Sequence, residues 1–191
     1  MRLHTSIGPA EASLSAVAEA AGVTRLTLYR HFATRDELFA ACMGHWRAIH
    51  APPDADAWRA THGLLPRARR ALQELYEWYE QNGDDLYPIY RDGAFTPESS
   101  QRARQANDAR MADALLDGVA LRGSAGRALR AAAGHVIGFW TWRSLVVDQG
   151  LPTGEAVDLA VRLLGAAGRA RAPGQKSRRP AKLAPTSGRV S

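Results

Sequence analysis

The chain has 191 residues, of which 46% are hydrophobic and 23% charged, values typical of a folded soluble protein with room for one or two domains. It has no apolar run long enough to span a bilayer and no apolar segment near Met1 of the kind found in secretory signal peptides. Its single cysteine, Cys42, excludes an internal disulfide and a cysteine-based zinc site. We expect a cytoplasmic protein with no cofactor and no metal site.

The positive charge is concentrated at the C-terminal end. The formal net charge is +6, but residues 169–191 hold seven Lys or Arg residues and no acidic residue, so the remainder of the chain carries about −1. This segment is rich in proline, glycine and serine and is predicted to be a disordered basic tail. A solvated extension is favoured over a nucleic-acid-binding tail. Because the excess charge lies in this segment, the overall charge does not indicate a DNA-binding face in the folded part.

Three short helices are predicted before residue 50, each behind a hydroxyl residue that can cap it, namely Ser13, Thr24 and Thr34. Glu37 stands three residues after Thr34 and completes a capping box. Gly22 follows the first helix at the position where a left-handed residue often ends one. The predicted inner stripes are Leu14, Val17, Ala18 and Ala21 in the first helix, Leu28 and Phe32 in the second, and Leu38, Cys42 and Trp46 in the third.

Longer helices are predicted after the break at "HAPPDADA". One runs from Leu65 to "NGDD" and is followed by an irregular piece, "DLYPIYRDG". Another starts at Thr96 and Pro97 and runs through Val119 to "LRGSAG". Two more cover roughly residues 124–147 and the segment after Pro152. Because strand signals are almost absent, the chain is predicted to be all-α.

The last two predicted helices are apolar around much of their circumference. Such helices need cover beyond the core of one small chain, which favours a homodimer interface. A central position within a monomer is the alternative. The candidate interface residues are Val136, Phe139, Trp140, Val157, Val161 and Leu164.

The first two helices form a helix-turn-helix arrangement, which places its second helix in the major groove of DNA. The segment "LSAVAEAAGVTRLTLYRHFATRDELF" strongly resembles the DNA-binding motif of TetR-family transcriptional regulators. That motif has an apolar-Ala-x-x-Ala-Gly-Val stretch, a hydroxyl residue, Leu-Tyr-x-His-Phe and, after a basic residue, Glu-Leu. The resemblance implies a helix-turn-helix domain over residues 1–46, a helical ligand-binding and dimerisation domain over residues 47–168, and a nucleoid-associated protein.

The resemblance also implies which residues touch DNA. Arg25 is the best candidate for a guanine, since its fork can pair with O6 and N7. Leu26 is either a contact to a thymine methyl or a partly buried structural residue. Tyr29, His31 and Arg35 match positions that hold phosphates. The full set is Ser13, Ser15, Thr24, Arg25, Leu26, Thr27, Tyr29, His31 and Arg35.

In TetR-like proteins, a small molecule in the helical domain changes the separation of two DNA-reading heads, which otherwise fit major grooves about 34 to 36 Å apart. The resemblance therefore implies a dimeric repressor on a palindromic operator, released by an effector of unknown identity. The candidate pocket residues are Trp78, Tyr79, Tyr87, Tyr90, Phe95, Met111, Trp140 and Trp142. Aromatic residues at helical spacing are more often core residues, which is the alternative for each of them.

Family members carry a full helix ahead of the motif, and "MRLHTSIG" resembles only the end of one, with Leu3 and Ile7 at helical spacing and Gly8 at its close. We expect a truncated first helix, and an N-terminally extended form that is more stable and binds DNA more tightly. The alternative function is a helical ligand-binding dimer that has lost DNA binding. An enzyme is not expected, because no nucleophile elbow, phosphate loop or metal-ligand spacing occurs.

Overall fold

A computed structural model describes residues 5–169, and within this range the secondary structure is helical with no strand. The helices are α1 Leu14–Ala20, α2 Arg25–His31, α3 Arg35–Ile49, α4 Leu64–Arg91, α5 Glu98–Leu115, α6 Gly123–Val136, α7 Phe139–Trp142 and α8 Thr153–Arg169. Short 3-10 helices cover Ala55–Ala60 and Gly93–Phe95, and a π-helix covers Arg143–Asp148. The all-α prediction is confirmed. The predicted tail lies outside the described residues, apart from Arg169.

The three predicted N-caps are confirmed by hydrogen bonds at the helix starts. In each, the cap hydroxyl oxygen accepts a backbone N–H at 3.1 Å: Ser13 from Ala16, Thr24 from Thr27, and Thr34 from Glu37. These bonds satisfy amides that have no partner inside the helix. The Glu37 carboxylate also accepts the Ala33 amide at 2.8 Å, so the return bond of the capping box forms one residue ahead of the cap.

Helix α3 belongs to two hydrophobic cores. Its Leu38 and Cys42 pack with α1 and α2 around a small core that contains Val17, Ala18 and Leu28. Its other face places Phe39, Met43 and Trp46 in the main core of the protein. The sequence predicts Trp46 in the same stripe as Leu38, and the structure packs it in the main core instead. The domain boundary expected at residue 46 therefore falls inside a continuous helix that joins the two cores.

Helix α4 is longer than predicted and continues through "NGDD" and "DLYPIYRDG" to Arg91. At Gly83 an added Cβ would lie 2.6 Å from the Trp142 ring, so this glycine allows two elements to approach closely. Beyond it, Leu86 and Ile89 are buried in the main core. Their burial outweighs the low helix propensity of the glycine and of Pro88, which is why the predicted end of the helix was wrong.

The helix predicted over residues 124–147 is divided into α6, α7 and the π-helix, and α5 ends before Val119. Side-chain hydroxyls donate to the carbonyls at the end of α6: Tyr76 to Val136 at 2.8 Å, Tyr79 to Ile137 at 3.0 Å, and Thr141 to His135 at 2.6 Å. Carbonyls at a helix C-terminus lack partners within the helix, so these three bonds stabilise the break.

The residues predicted for the dimer interface are corrected by their burial. Five of the six lie in the core of this single chain, namely Val136, Phe139, Val157, Val161 and Leu164. Helices α6 and α8 pack against each other and α8 also packs against α4, which covers the apolar faces that the sequence left without a partner. Trp140 differs, because it is 49% exposed. The central-helix alternative therefore explains the pattern for the other five residues.

Candidate nucleic-acid interface and internal cavity

Helix α2 has one buried residue, Leu28, which holds the helix against α1 and α3. Arg25, Leu26 and Tyr29 project from it into solvent. Leu26 is 73% exposed, so the structure excludes a buried structural role for it. The Arg25 guanidinium carbon lies 6.0 Å from the centre of the Tyr29 ring, one helical turn away, which is within reach of a weak cation–π interaction. The exposed face of α2 is thus free to contact another molecule.

The hydroxyls of Thr24 and Thr27 are tied to each other at the start of α2. Their oxygens lie 3.0 Å apart, and Thr24 Oγ1 also accepts the Thr27 amide. Thr24 therefore has a capping role that is independent of DNA. If either hydroxyl contacts a base, its oxygen must also serve the bond between the two threonines.

A concavity of about 350 Å³ brings together four of the predicted DNA contacts. Ser13 and Ser15 reach it from the start of α1, Arg25 from α2 and Arg35 from α3. No acidic residue lines it among those described. Two guanidinium groups beside two hydroxyls provide donors suited to phosphate oxygens. The same residues would fix the position of a duplex against α2.

Arg35 has a structural role in addition to the predicted one. Its Nη2 donates to the carbonyl of Pro9 at 2.6 Å, which holds the N-terminal segment against α3. Arg35 remains exposed, so its other donors can still reach solvent.

The N-terminal segment is also bound to the end of α4. Arg91 Nη2 donates to the Ile7 carbonyl at 2.9 Å, and the Ala10 amide donates to Asp92 Oδ2 at 3.2 Å. The neighbouring guanidinium and the Ala10 amide hold the pKa of Asp92 below its usual range. The carboxylate therefore contributes stability above the ordinary aspartate pKa, and this contribution is lost as the pH falls through the lowered value. At neutral pH this contact joins the small core to the body of the protein.

We expect Gly8→Ala to destabilise the protein by about 2 kcal/mol. Gly8 has a φ of +94°, and an added Cβ would clash with Asp92 Oδ2. Thermal unfolding measures the loss, and Gly118→Ala is the matched control. Gly118 also has a positive φ, +71°, but nothing lies within 4 Å of its added Cβ. Equal losses in the two variants would show that the contact between Gly8 and Asp92 adds nothing beyond backbone strain.

A second cavity of about 520 Å³ lies between α3, α4 and α5. Of the eight residues predicted for an effector pocket, Trp78, Tyr79, Tyr90 and Met111 line it. The other four do not. Tyr87 and Trp140 form an edge-to-face pair elsewhere, with centroids 6.0 Å apart, Phe95 is exposed, and Trp142 packs in the main core beside Gly83.

Helix α3 supplies one wall of this cavity, which the sequence did not predict. Phe39, Met43, Trp46 and Arg47 line it from that helix. Trp46 is fixed there, because its Nε1 donates to Asp85 Oδ2 at 2.7 Å and its ring stacks on His50 with centroids 4.8 Å apart. The predicted inner stripe of α3 followed Leu38 and Cys42. The apolar spacing of Phe39 and Met43, at i and i+4, was the available signal for a second face.

The polar residues of the cavity include Tyr90, Arg104 and Asp108. Burial raises the pKa of Tyr90 to about 12 and raises the pKa of Asp108 above its usual value. The Arg104 guanidinium carbon lies 5.2 Å from the Tyr90 ring centre. Tyr79 has a raised pKa for the same reason, burial, and donates its hydroxyl to Ile137. The cavity thus combines aromatic walls with a group of charged side chains.

Within residues 5–169, no helix is long and apolar enough to cross a membrane, and no group of three or more His, Cys, Asp or Glu residues is arranged to hold a metal ion. The functional candidates in the described part are therefore the exposed face of α2 with its adjoining concavity, and the cavity beside α3.

Residues 1–42 match the family model described as bacterial regulatory proteins, tetR family. No curated protein and no solved structure gives a significant match. The matched segment contains α1, α2 and the first half of α3, and so includes the small core and every predicted DNA contact. Residues 1–42 are therefore similar to the DNA-binding region of TetR-family regulators, and the match does not extend to the rest of the chain.

Proposed function

We propose that the protein is a dimeric repressor that binds a palindromic operator through α2 and leaves it when a small molecule fills the cavity beside α3. The observation that supports this most directly is the double role of α3. Leu38 and Cys42 on one face belong to the DNA-binding core, while Phe39, Met43 and Trp46 on the other face belong to the main core, and all three line the cavity. A ligand that shifts α3 therefore shifts the DNA-reading surface.

On the DNA side, Arg25, Leu26 and Thr27 would face base edges. Leu26 and Arg25 are exposed as this role requires, and Thr24 begins the same helix. The phosphate contacts would come from the residues around the concavity and the exposed face of α2, namely Ser13, Ser15, Tyr29, His31 and Arg35. Phosphate contacts set the position of the helix, and base contacts set the sequence that it prefers.

On the effector side, the cavity volume suits a drug-sized compound, since ligand pockets commonly measure about 300 to 1,000 Å³. A ligand changes DNA binding only if its affinity differs between the conformation that fits the operator and the one that does not. Contacts with α3 provide such a difference, because a displacement of α3 changes the shape of the cavity wall that this helix forms. The contact of Asp92 with Ala10 gives a second connection, from the end of α4 to the N-terminal segment.

A homodimer would use exposed apolar side chains of the C-terminal elements. Trp140 in α7, Val147 in the π-helix and Leu163 in α8 are each about half exposed. A two-fold dimer places the same patch of each copy at the interface. It also provides two copies of α2 for the two half-sites of a palindrome.

The test is a mobility-shift titration with the DNA that flanks the gene, using a shuffled duplex of the same composition as control. We expect a sequence-dependent shift that weakens by several orders of magnitude between about 50 and 200 mM salt, as for proteins with several phosphate contacts. The shift should correspond to two copies of the chain per duplex. No shift even at low salt would support a ligand-binding dimer that does not bind DNA.

A further inference from the structure

The charged side chains of the cavity come from two helices and line it together with Tyr90. Arg47 belongs to α3, and Arg104 and Asp108 belong to α5. All three line the same cavity as Tyr90, and the Arg104 guanidinium carbon lies 5.2 Å from the Tyr90 ring centre. Burial and Asp108 raise the pKa of Tyr90, and Arg104 and Arg47 lower it. The cavity therefore has one charged end, defined by Arg47, Tyr90, Arg104 and Asp108.

Positive charge prevails at the charged end. Its two guanidinium groups form no ion pair and donate no hydrogen bond to another residue within the described range 5–169. Asp108 is the one acidic residue among those lining the cavity, and its burial disfavours the ionised form. Asp85 does not line the cavity and already accepts the indole N–H of Trp46. The two arginines thus have donors available for a ligand.

The rest of the cavity is apolar and aromatic. Met43 and Trp46 from α3, Trp78 and Tyr79 from α4, and Met111 from α5 provide most of this surface. The two indoles meet edge to face, with centroids 5.9 Å apart. A flat or compact apolar body fits such walls better than a strongly hydrated one.

We propose that the effector is an amphipathic monoanion, an apolar body with one carboxylate, whose anionic group binds between Arg47 and Arg104. The proposal rests on the cavity being the effector site. A carboxylate can pair with a planar guanidinium through two parallel hydrogen bonds, which neither a neutral nor a cationic group can do. A cation would instead face two unpaired positive charges. An anion held by both arginines joins α3 to α5, and this gives the ligand a direct effect on the helix that carries the DNA-binding core.

The charge preference can be measured with three ligands that share one apolar body. N-phenyl-1-naphthylamine, a neutral dye that fluoresces in apolar sites, reports occupancy of the full-length protein. It is displaced by naphthalene-2-carboxylate, by 2-naphthalenemethanol and by 2-naphthylmethylammonium in separate titrations. We expect the carboxylate to displace it at a concentration roughly tenfold or more below that of the alcohol, and the ammonium to be the weakest of the three.

Charge variants then test the assigned residues. Arg104→Gln and Arg47→Gln should each weaken the carboxylate roughly tenfold and leave the alcohol unchanged, while Asp108→Asn should strengthen the carboxylate. Arg102→Gln is the matched control, because Arg102 is on α5 near Arg104 but is exposed and paired with Glu98. Unchanged affinity for the alcohol shows that each variant keeps a folded cavity.

Two results would overturn the inference while leaving the cavity as a ligand site. One is an equal or higher affinity for the ammonium than for the carboxylate. The other is a carboxylate preference that survives in both Arg47→Gln and Arg104→Gln. Failure of the dye and all three ligands to bind the wild-type protein would overturn the proposed effector site itself, and the inference with it.

Discussion

Replacing Arg25 with alanine is expected to weaken operator binding by roughly 5- to 150-fold for each half-site, the worth of one bidentate arginine–guanine pair. Arg25 is exposed at the first position of α2, and its guanidinium lies over the Tyr29 ring without any ion pair in the described part of the chain. Removing it costs no buried contact, so the fold should be retained. In a dimer the loss applies at both half-sites.

The measurement is a binding isotherm on operator DNA and on a duplex with one guanine of each half-site changed. If Arg25 reads that guanine, the wild-type protein distinguishes the two duplexes and Arg25→Ala does not. Arg102→Ala is the control for the loss of one positive charge, because Arg102 is exposed on α5, outside the helices that carry the predicted DNA contacts. It should leave the discrimination unchanged.

A different result separates base reading from phosphate binding. If Arg25 contacts a phosphate, its replacement weakens all duplexes by the same factor and makes the salt dependence less steep. Sequence discrimination would then survive in Arg25→Ala, and the assignment of this residue to a base edge would be wrong.

The helix-turn-helix could be predicted from the sequence because its determinants are local. Each cap bond spans three residues, from Ser13 to Ala16 or from Thr24 to Thr27. Gly22, with a φ of +66°, provides the left-handed residue that the turn requires. Neither feature depends on distant parts of the chain, and so the order of residues was sufficient.

The length of α4 and the cover of the last helices depend on distant residues. Gly83 continues the helix because it packs under Trp142, which comes much later in the chain. In the same way, the spacing of Val136 and Val157 indicates that they face an apolar surface. It does not indicate whether that surface belongs to another helix of the same chain or to a second copy of the chain. Periodicity identifies an apolar face, and only the fold identifies what covers it.

The sequence predicts only part of the cavity lining, again because the lining depends on how distant helices pack. Aromatic residue types pointed to Trp78, Tyr79 and Tyr90 but also to Tyr87 and Phe95, which face elsewhere. The missing wall is on α3, which was assigned to the DNA-binding domain alone. Since this helix has two buried faces, its role in the cavity depends on how both cores pack against it.

Replacing Arg67 with methionine is expected to destabilise the protein by about 3 kcal/mol. Arg67 is 6% exposed near the start of α4, and no acidic side chain pairs with it among the described residues. Its guanidinium donates instead to three carbonyls: Nε to Thr61 at 3.0 Å, Nη1 to Leu115 at 3.3 Å, and Nη1 to Asp117. Two of these lie at the C-terminal end of α5, where carbonyls lack helical partners and a positive charge is favourable.

Methionine keeps much of the volume of the arginine stem but provides no donor, so the carbonyl of Leu115 is left buried without its hydrogen bond. Thermal unfolding should show a melting temperature lower by roughly 6 to 12 °C for a chain of this size. Arg69→Met is the matched control. Arg69 is two residues along the same helix, and its side chain is 58% exposed in an ion pair with Asp158. Its loss should cost no more than about 1 kcal/mol.

The same variant tests whether the end of α5 supports the cavity. Arg104 and Asp108 line the cavity from the middle of α5, while Arg67 holds the end of that helix. Loosening the end should therefore weaken binding of the neutral dye at temperatures well below unfolding, and Arg69→Met should not. If Arg67→Met and Arg69→Met lose equal stability, water or a backbone adjustment satisfies the carbonyls that Arg67 no longer reaches. Arg67 would then contribute no more than an exposed arginine, and α5 would be held by its apolar packing alone.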